Sequence, residues 1–460
     1  MLRRVGQRPS SEDPVDAVGE VKQKRNPASR RKTFLCLSSE SGLSTENAKF
    51  GLTSLSCLVV ANTIGAGIYT TSAFTLNDLG TREAVLAVWV AASLLALAGA
   101  YSFGVLARAI PKSGGEYLYL SRLIHPGAGF IAGWVSMIAA FAGAEAYAAL
   151  TLMEYLHLDP ALEMAVAVGL LVLLAFLHGV LVKAGTVLQN LTVIAKGLFI
   201  LLFVLFAAAV GEAPNDIPTP PDLNLWVWPV NLMWVSLSFT GFNSAIYVAE
   251  EAENPRTDVP RALLIGTLVT SVLYLLINAA MLYSAPVSEL AGVSDIALVS
   301  AQALGGPGLR RAMQLLVLLS LFTLISGMAV AGPRVVVKMG QDGFLPPMNL
   351  QSAALVQCGL AVFMTVFSDL VHQLGYLSLT LSLTSALAVA AVFRLPPEQR
   401  GNPFLPAIYV TGTLLSAIAS LRMEYKVGLA ALATIGSGAL VYAIFFARSR
   451  PGSPSEVREE

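Results

Sequence analysis

The motif Gly65-Ala66-Gly67 lies in the middle of an apolar run over residues 52–75. Glycine costs roughly 1 kcal/mol against alanine inside a helix, so the motif predicts a break in the helix that this run would otherwise form. N–H groups freed at the start of a half-helix suit a carboxylate, and carbonyl groups freed at the end of the preceding half suit an ammonium. The groups concerned are the N–H groups of Gly65, Ala66 and Gly67, with the half-helix starting near Ile68, and the carbonyl groups of Thr63 and Ile64.

A second polar interruption, Ser238 to Ser244, lies inside the apolar run over residues 227–250. The carbonyl groups of Phe239 and Thr240 are predicted to face the same ammonium, and one site with both kinds of backbone group fits an α-amino acid. In hydrocarbon, freed backbone groups are tolerated only where they are buried in protein or line a watery cavity. The first motif alone also fits a small-residue patch for helix packing. The second break favours a binding site.

Two ionisable residues lie deep in apolar runs, Lys196 and Glu145. An intramembrane charge costs roughly 2.5–3.5 kcal/mol on insertion scales, so both are candidates for a functional role. Lys196 is predicted either to be a fixed cation among backbone carbonyls or to take part in proton coupling. Glu145 is predicted either to face a cavity and participate in proton transfer or to be a neutral acid bonded to a neighbouring helix.

The composition places these motifs in a membrane. Hydrophobic residues make up 55% of the chain, charged residues 13%, and the mean hydropathy is +0.68, which is typical of a polytopic membrane protein. The formal net charge is zero, so nothing favours nucleic acid. The cysteines and histidines are dispersed, which predicts neither a disulfide framework, a metal site, a catalytic cluster nor a cofactor.

The pattern of apolar segments predicts an all-α integral membrane protein with twelve transmembrane helices. The predicted spans are 52–75, 84–108, 128–156, 161–182, 187–210, 227–250, 261–285, 309–336, 352–368, 373–393, 404–421 and 427–447. Lys and Arg gather in the tails and in the loops on the side shared by both termini, so that side is predicted to be cytoplasmic.

The predicted domain organisation is a disordered basic cytoplasmic tail over 1–50, a transporter domain over 51–448 and a cytoplasmic tail over 449–460. Two connections between spans stand out. Residues 111–126 are amphipathic and are predicted to lie along the membrane interface. Residues 286–308 form the longest external connection and are predicted to act as a lid.

Breaks in the first and sixth spans, five spans apart, are the sequence pattern of inverted repeats with a site at their interface. The repeats are predicted over approximately 51–210 and 226–394, with two extra helices over 404–447. The motifs that carry a family resemblance are IGAGIY from Ile64, the stretch from Ile110 to Trp134, the stretch from Gly241 to Leu263 and the stretch from Gly332 to Pro346. With these, the chain resembles the amino acid–polyamine–organocation superfamily, which implies the leucine-transporter-like fold.

The resemblance implies roles for individual residues. Gly65, Ala66 and Gly67 match the motif that receives the substrate carboxylate, with Ala66 in place of the usual serine. Residues 239–243 match the unwound sixth span, whose carbonyls hold the amine and whose aromatic residue gates the side-chain pocket. Lys196 matches the lysine that replaces a sodium ion in sodium-independent members, bridging the first and eighth spans. Asn243 stands where carriers of cationic amino acids often have an acid.

The expected function is sodium-independent secondary transport of neutral L-amino acids by alternating access, with proton coupling or by exchange. A cationic amino acid or polyamine carrier, and a non-transporting amino-acid sensor, are the alternatives; an enzyme is not expected. Glu250 and Glu251 are predicted to pair with Arg256, Arg261 or Arg334 and latch the inner gate. Ordinary solvated helix-end charge is the alternative reading of these two acids.

The expected partners are an amino acid, protons as a second candidate ligand, and the lipid bilayer. Animal exchangers of the family pair with a glycoprotein through a cysteine after the third span. The turn from His157 to Pro160 has no cysteine, so no disulfide-linked partner is predicted. A bacterial inner membrane is the expected location.

Overall fold

The structure is a computed structural model that describes residues 50–180, 182–211 and 224–445, without the side chains of residues 179–180, 182–195 and 445. The predicted terminal tails therefore lie outside the described residues, apart from Phe50. That residue pairs with the end of the predicted sixth span, because its N–H group donates to the Glu251 carbonyl at 2.7 Å and its carbonyl accepts from the Glu253 N–H group at 3.0 Å.

Helices and short turns make up most of the described chain. In the first half the α-helices are α1 (Leu52–Thr63), α2 (Thr71–Leu79), α3 (Arg82–Ala109), α4 (Gly115–Leu123), α5 (Pro126–Leu156, which includes a π-helical stretch), α6 (Pro160–Val180) and α7 (Val182–Val210). In the second half they are α8 (Val227–Leu237), α9 (Pro255–Leu282), α10 (Val287–Leu290), α11 (Ile296–Gln341), α12 (Leu350–Phe367), α13 (Leu370–Ala390), α14 (Pro397–Arg400), α15 (Phe404–Met423) and α16 (Tyr425–Phe445). Three 3₁₀ helices complete the set: Ala66–Tyr69, Ser244–Glu251 and Ala391–Arg394.

Within the described ranges, nine helices are long and apolar enough to cross a membrane. Shorter apolar helices, Leu52–Thr63, Lys196–Val210 and Val227–Leu237, fall in the predicted first, fifth and sixth spans. The first and sixth are short because each is interrupted, as the sequence predicts. The all-helical membrane architecture is confirmed, while the count of twelve spans and the inverted-repeat topology stay predictions.

Local sequence signals set many of the helix ends. Gly80 ends α2 in the left-handed region at φ 71°, which glycine adopts without a steric penalty. The side chain of Thr81 then caps α3 by accepting from the Ala84 N–H group at 3.2 Å. Asn349 and Asp369 cap α12 and α13 in the same way. These caps pair N–H groups that a helix start leaves unbonded.

An aromatic cluster holds the centre of the fold beside both interruptions. The Trp89 ring of α3 lies 5.4 Å from the Tyr274 ring of α9, and Tyr274 lies 5.1 Å from Phe239. All three side chains are buried. The Trp89 Nε1 group donates to Ser72 of α2 at 2.7 Å, and Ser72 donates to Asn278 of α9. This satisfies the polar groups that accompany the buried rings.

Two connections that the sequence analysis singled out are largely helical. Residues 115–123 form helix α4, which buries Tyr119 and Leu120 in the protein core, and its place along the membrane interface stays a prediction. The external segment 286–308 is largely helical, since α11 begins at Ile296 and kinks at Gly305 and Gly306. Its Gly292 N–H group donates to the Ala73 carbonyl at 2.9 Å, so the segment packs on α2.

Candidate functional site

The first predicted break is present in the structure. Helix α1 ends at Thr63, and Ile64 and Gly65 have extended backbone. The chain then forms the short 3₁₀ helix from Ala66, and α2 starts at Thr71. The α-helical second half therefore begins later than Ile68, because the glycines give way first to tighter 3₁₀ geometry.

Side chains of the protein already donate hydrogen bonds to the carbonyl groups of this break. The Lys196 ammonium donates to the Ile64 carbonyl at 2.7 Å, and the Tyr274 hydroxyl donates to the Thr63 carbonyl at 2.7 Å. Buried carbonyl groups require such donors. An ammonium ligand at these two carbonyls would have to use their second lone pairs or displace a protein donor. The contact of Lys196 with Ile64 fits the alternative in which Lys196 is a fixed cation among backbone carbonyls, and the binding of a substrate ammonium at Thr63 and Ile64 stays a prediction.

The sixth predicted span is interrupted between α8 and the 3₁₀ helix Ser244–Glu251. Gly241 has φ +106°, a conformation that L-residues rarely adopt. Phe239 points into the aromatic cluster and Phe242 packs on Phe103 at 5.8 Å between ring centroids. Thr240, between them, is exposed, and Asn243 is half-buried. The turn therefore alternates between aromatic anchors and accessible polar groups.

The two breaks pack directly on each other through glycine. A β-carbon at Gly67 would collide with Ser238 Oγ, and one at Gly241 would collide with the Asn62 carbonyl. The hydroxyl of Tyr274 joins the same two segments, because it lies 2.9 Å from the Ser238 carbonyl as well as close to Thr63. The buried Ser238 hydroxyl itself has no hydrogen-bond partner in the described part of the chain.

A cavity of about 100 Å³ lies against the sixth-span break. Its walls come from α3, α5, α8, α13 and α15, together with the turn from Phe239 to Asn243. Many of these residues carry hydroxyls: Ser136, Ser236, Ser382, Thr384, Ser385, Tyr409, Thr413 and Ser416. Residues 63–68 do not line it. The two sets of predicted binding residues therefore touch each other but do not share this cavity.

An acid that the sequence interpretation did not include reaches this cavity. Glu116, the second residue of α4, accepts a hydrogen bond from the Asn243 amide at 3.3 Å. Burial raises the pKa of its carboxyl to about 7. One signal in the sequence pointed to it: the pair Gly114-Gly115 directly before the acid, which indicates a sharp turn.

Lys196 and Glu145 occupy separate places. The ammonium of Lys196, on α7, lies at the first break, and the described residues show no hydrogen bond from it to α11. Glu145 is buried in α5 and accepts from the Gln357 amide at 2.8 Å, while the same amide donates to the Met328 carbonyl at 3.0 Å. Glu145 is thus held between α5, α11 and α12.

The predicted pairing of Glu250 and Glu251 with arginine is wrong for this conformation. Glu250 instead exchanges hydrogen bonds with Ser113, which accepts from its N–H group and donates to its carboxylate. The described residues contain no ion pair between either acid and Arg256, Arg261 or Arg334. Both acids are exposed, and an exposed charge gains little from an ion pair.

Two broken helices that meet beside a polar cavity, in a protein built of apolar helices, are an arrangement typical of membrane carriers for small solutes. The chain belongs to the Amino acid permease family, whose profile matches residues 50–456. It is therefore a multi-pass integral membrane protein and a permease, not an enzyme.

Similar proteins are amino acid transporters. "Large neutral amino acids transporter small subunit 2" of Oryctolagus cuniculus is 25% identical over 427 residues, covering 86% of this chain and 79% of the relative. "Serine/threonine exchanger SteT" of Bacillus subtilis (strain 168) is 24% identical, covering 85% of this chain and 96% of the relative. "Cystine/glutamate transporter" of Homo sapiens is 25% identical, covering 84% and 83%.

Proposed function

We propose that this permease moves neutral L-amino acids across the membrane by alternating access, without sodium, and either with protons or by exchange. The observation that carries the proposal is the contact between the two helix breaks, each of which needs glycine to approach the other. A solute held between two broken helices is released when the halves on one side separate, so a site at their contact can open to either side. Gly65–Gly67 and the turn 239–243 are the proposed binding groups.

Sodium independence is supported by Lys196. Its buried ammonium lies 2.7 Å from the Ile64 carbonyl, and backbone carbonyls are also the groups that coordinate sodium in broken helices. A fixed positive charge there replaces the ion and disfavours its binding by like-charge repulsion. Lys196 and Glu145 remain the proposed coupling residues, and Glu250 and Glu251 the proposed gating residues.

A neutral substrate is supported by the hydroxyl-rich cavity wall and by the names of two relatives, a transporter of large neutral amino acids and a serine/threonine exchanger. One observation favours transport of a cationic amino acid instead. The motif position Asn243 carries no acid, but Glu116 brings a carboxyl to it. An ionised Glu116 would attract a second ammonium group on the substrate.

The location and assembly are also proposals. We place the protein in a bacterial inner membrane with both termini cytoplasmic, on the distribution of Lys and Arg. One of the similar proteins is a transporter small subunit by name. We propose that this chain has no disulfide-linked partner, since the turn from His157 to Pro160 lacks cysteine.

The test is uptake into liposomes that contain the purified protein. A panel of labelled neutral and cationic amino acids is supplied in sodium-free buffer, with and without an inward proton gradient, to wild type and Lys196→Ala. Uptake of neutral amino acids that the gradient drives and Lys196→Ala abolishes supports proton coupling, and uptake that needs preloaded amino acid supports exchange. Uptake only with sodium, uptake of cationic amino acids alone, or binding without any flux would each contradict the proposal.

A further inference from the structure

Glu116 reaches the cavity because two glycines turn the chain sharply before it. Gly114 and Gly115 have φ values of +144° and +62°, and a β-carbon at Gly115 would collide with the Tyr247 ring. Other residues are disfavoured at both positions by strain, and a β-carbon at Gly114 would also collide with Leu118 Cβ. The turn presses α4 against the inner half of the sixth span and places the carboxyl at the wall of the cavity.

Among the described residues, the surroundings of the Glu116 carboxyl are polar and hold no counter-charge. Asn243 donates to it, Ser385 is a second hydrogen-bonding neighbour, and the Tyr409 hydroxyl donates to Ser385 at 2.9 Å. The titratable groups that face it are Tyr247 and Tyr409, which are neutral at physiological pH. The cavity walls from α3, α5, α8 and α13 contribute apolar side chains and hydroxyls, and no ion pair in the described part of the chain includes Glu116.

The loop from Ser113 to Glu116 forms hydrogen bonds with the inner half of the sixth span, residues 243–250, at two points. Glu116 meets Asn243 just before the 3₁₀ helix Ser244–Glu251. Ser113 meets Glu250 near its end, with hydrogen bonds of 3.3 Å and 3.1 Å. Because both ends of this segment are tied to one loop, the segment cannot move away from α4 without breaking the Glu116–Asn243 bond and exposing the half-buried carboxyl further to water.

We propose that Glu116 is a proton-binding residue of the inner gate, which holds the sixth-span segment closed when protonated and releases its proton to the cytoplasm when the gate opens. The proposal rests on the alternating-access function above and names one residue that binds the proton. The neutral acid can accept from Asn243 with its carbonyl oxygen and donate to Ser385 with its hydroxyl. The ionised carboxyl can only accept, and in the closed gate it loses part of its hydration.

The sign of the pH effect follows from this difference in hydration. In the closed gate, burial raises the Glu116 pKa to about 7, and in an open, hydrated gate the pKa returns toward the ordinary value for glutamate. Between these two values the closed form binds more protons, so acid favours the closed gate. The open fraction is expected to fall by up to about tenfold per pH unit below about pH 7, and to be insensitive to Glu116 above it.

The experiment measures exchange of a transported amino acid, labelled on one side and unlabelled on the other, in liposomes at equal pH inside and outside. The pH is varied from about 5 to about 8, a range that includes the raised pKa expected for Glu116 in the closed gate. Wild-type exchange should slow as pH falls. Glu116→Gln, which keeps the shape of the protonated acid, should remove this slowing and exchange at the slow rate throughout. Glu116→Ala, which cannot bond Asn243, should also lose the pH dependence but exchange at the fast rate.

The matched control is Glu398→Gln, which removes an exposed acid from α14 and should keep the wild-type profile. If the other variants fail to fold, Glu116→Asp takes their place in the test. It retains a titrating carboxyl and should therefore keep a pH-dependent exchange rate. A wild-type rate that is flat with pH, or a Glu116→Gln profile equal to that of wild type, would overturn the proposal. Absence of any amino-acid exchange in wild type would instead contradict the proposed function.

Discussion

Replacement of Tyr274 by phenylalanine tests whether one hydroxyl joins the two helix breaks. Tyr274 is fully buried, and its hydroxyl lies 2.7 Å from the Thr63 carbonyl and 2.9 Å from the Ser238 carbonyl. The substitution keeps the ring, and therefore its packing against Trp89 and Phe239. It removes only the donor that both broken segments share.

The expected cost follows from the hydrogen bonds. A hydroxyl has one hydrogen, so it satisfies the two carbonyls alternately or in a shared bond. A buried acceptor left without a partner costs about 1–3 kcal/mol. If the breaks separate during transport, this energy stabilises only the conformation in which they touch. Tyr274→Phe should then shift the conformational equilibrium away from that form by about 5- to 150-fold.

The assay combines thermal unfolding in detergent with the concentration dependence of amino-acid exchange in liposomes. Tyr274→Phe should lower the unfolding temperature and change the apparent substrate affinity. Tyr283→Phe is the control, because Tyr283 donates to Glu83 at 3.0 Å in an exposed position away from the breaks. The reasoning is refuted if the two variants behave alike. A loss of stability with unchanged exchange would show that the hydroxyl bond persists throughout the cycle.

Three further substitutions probe the site. Lys196→Met removes a charge-assisted hydrogen bond worth about 1.5–3 kcal/mol and should abolish sodium-free uptake. Lys338→Met, which removes an exposed ion pair with Asp342, should leave that uptake unchanged. Equal uptake by the two variants would contradict the role assigned to Lys196. Gly241→Ala places a side chain at a strained φ and in collision with Asn62, so it should reduce uptake. Gly169→Ala is the control, because its β-carbon meets open space. A normal uptake rate in both variants would show that transport does not need the close contact between the two helix breaks. Gln357→Leu leaves Glu145 without its hydrogen-bond donor, and should lower the free energy of unfolding by about 1–3 kcal/mol. Gln314→Leu, which removes a half-buried hydrogen bond to the Tyr155 carbonyl, is the comparison in the same unfolding measurement.

Sequence alone determined the class of protein and the places where its helices break. Long apolar runs have few structural solutions in a bilayer, because every backbone group must be bonded internally. Glycine inside such a run is a local signal, since it acts on the backbone of its own residue. The interruptions at Gly65–Gly67 and Phe239–Asn243 could therefore be predicted from neighbours in the chain.

The partners of those breaks depended on the tertiary structure. Tyr274 is 211 positions from Thr63 in the sequence, and Glu116 is 127 from Asn243, so no local pattern links either pair. Glu250 met Ser113 where the sequence predicted arginine, because charge types alone do not specify which loop packs against a helix end. Hydrogen-bond partners and counter-ions are set by which surfaces the packed helices bring within about 3 Å, a distance that only the assembled fold defines.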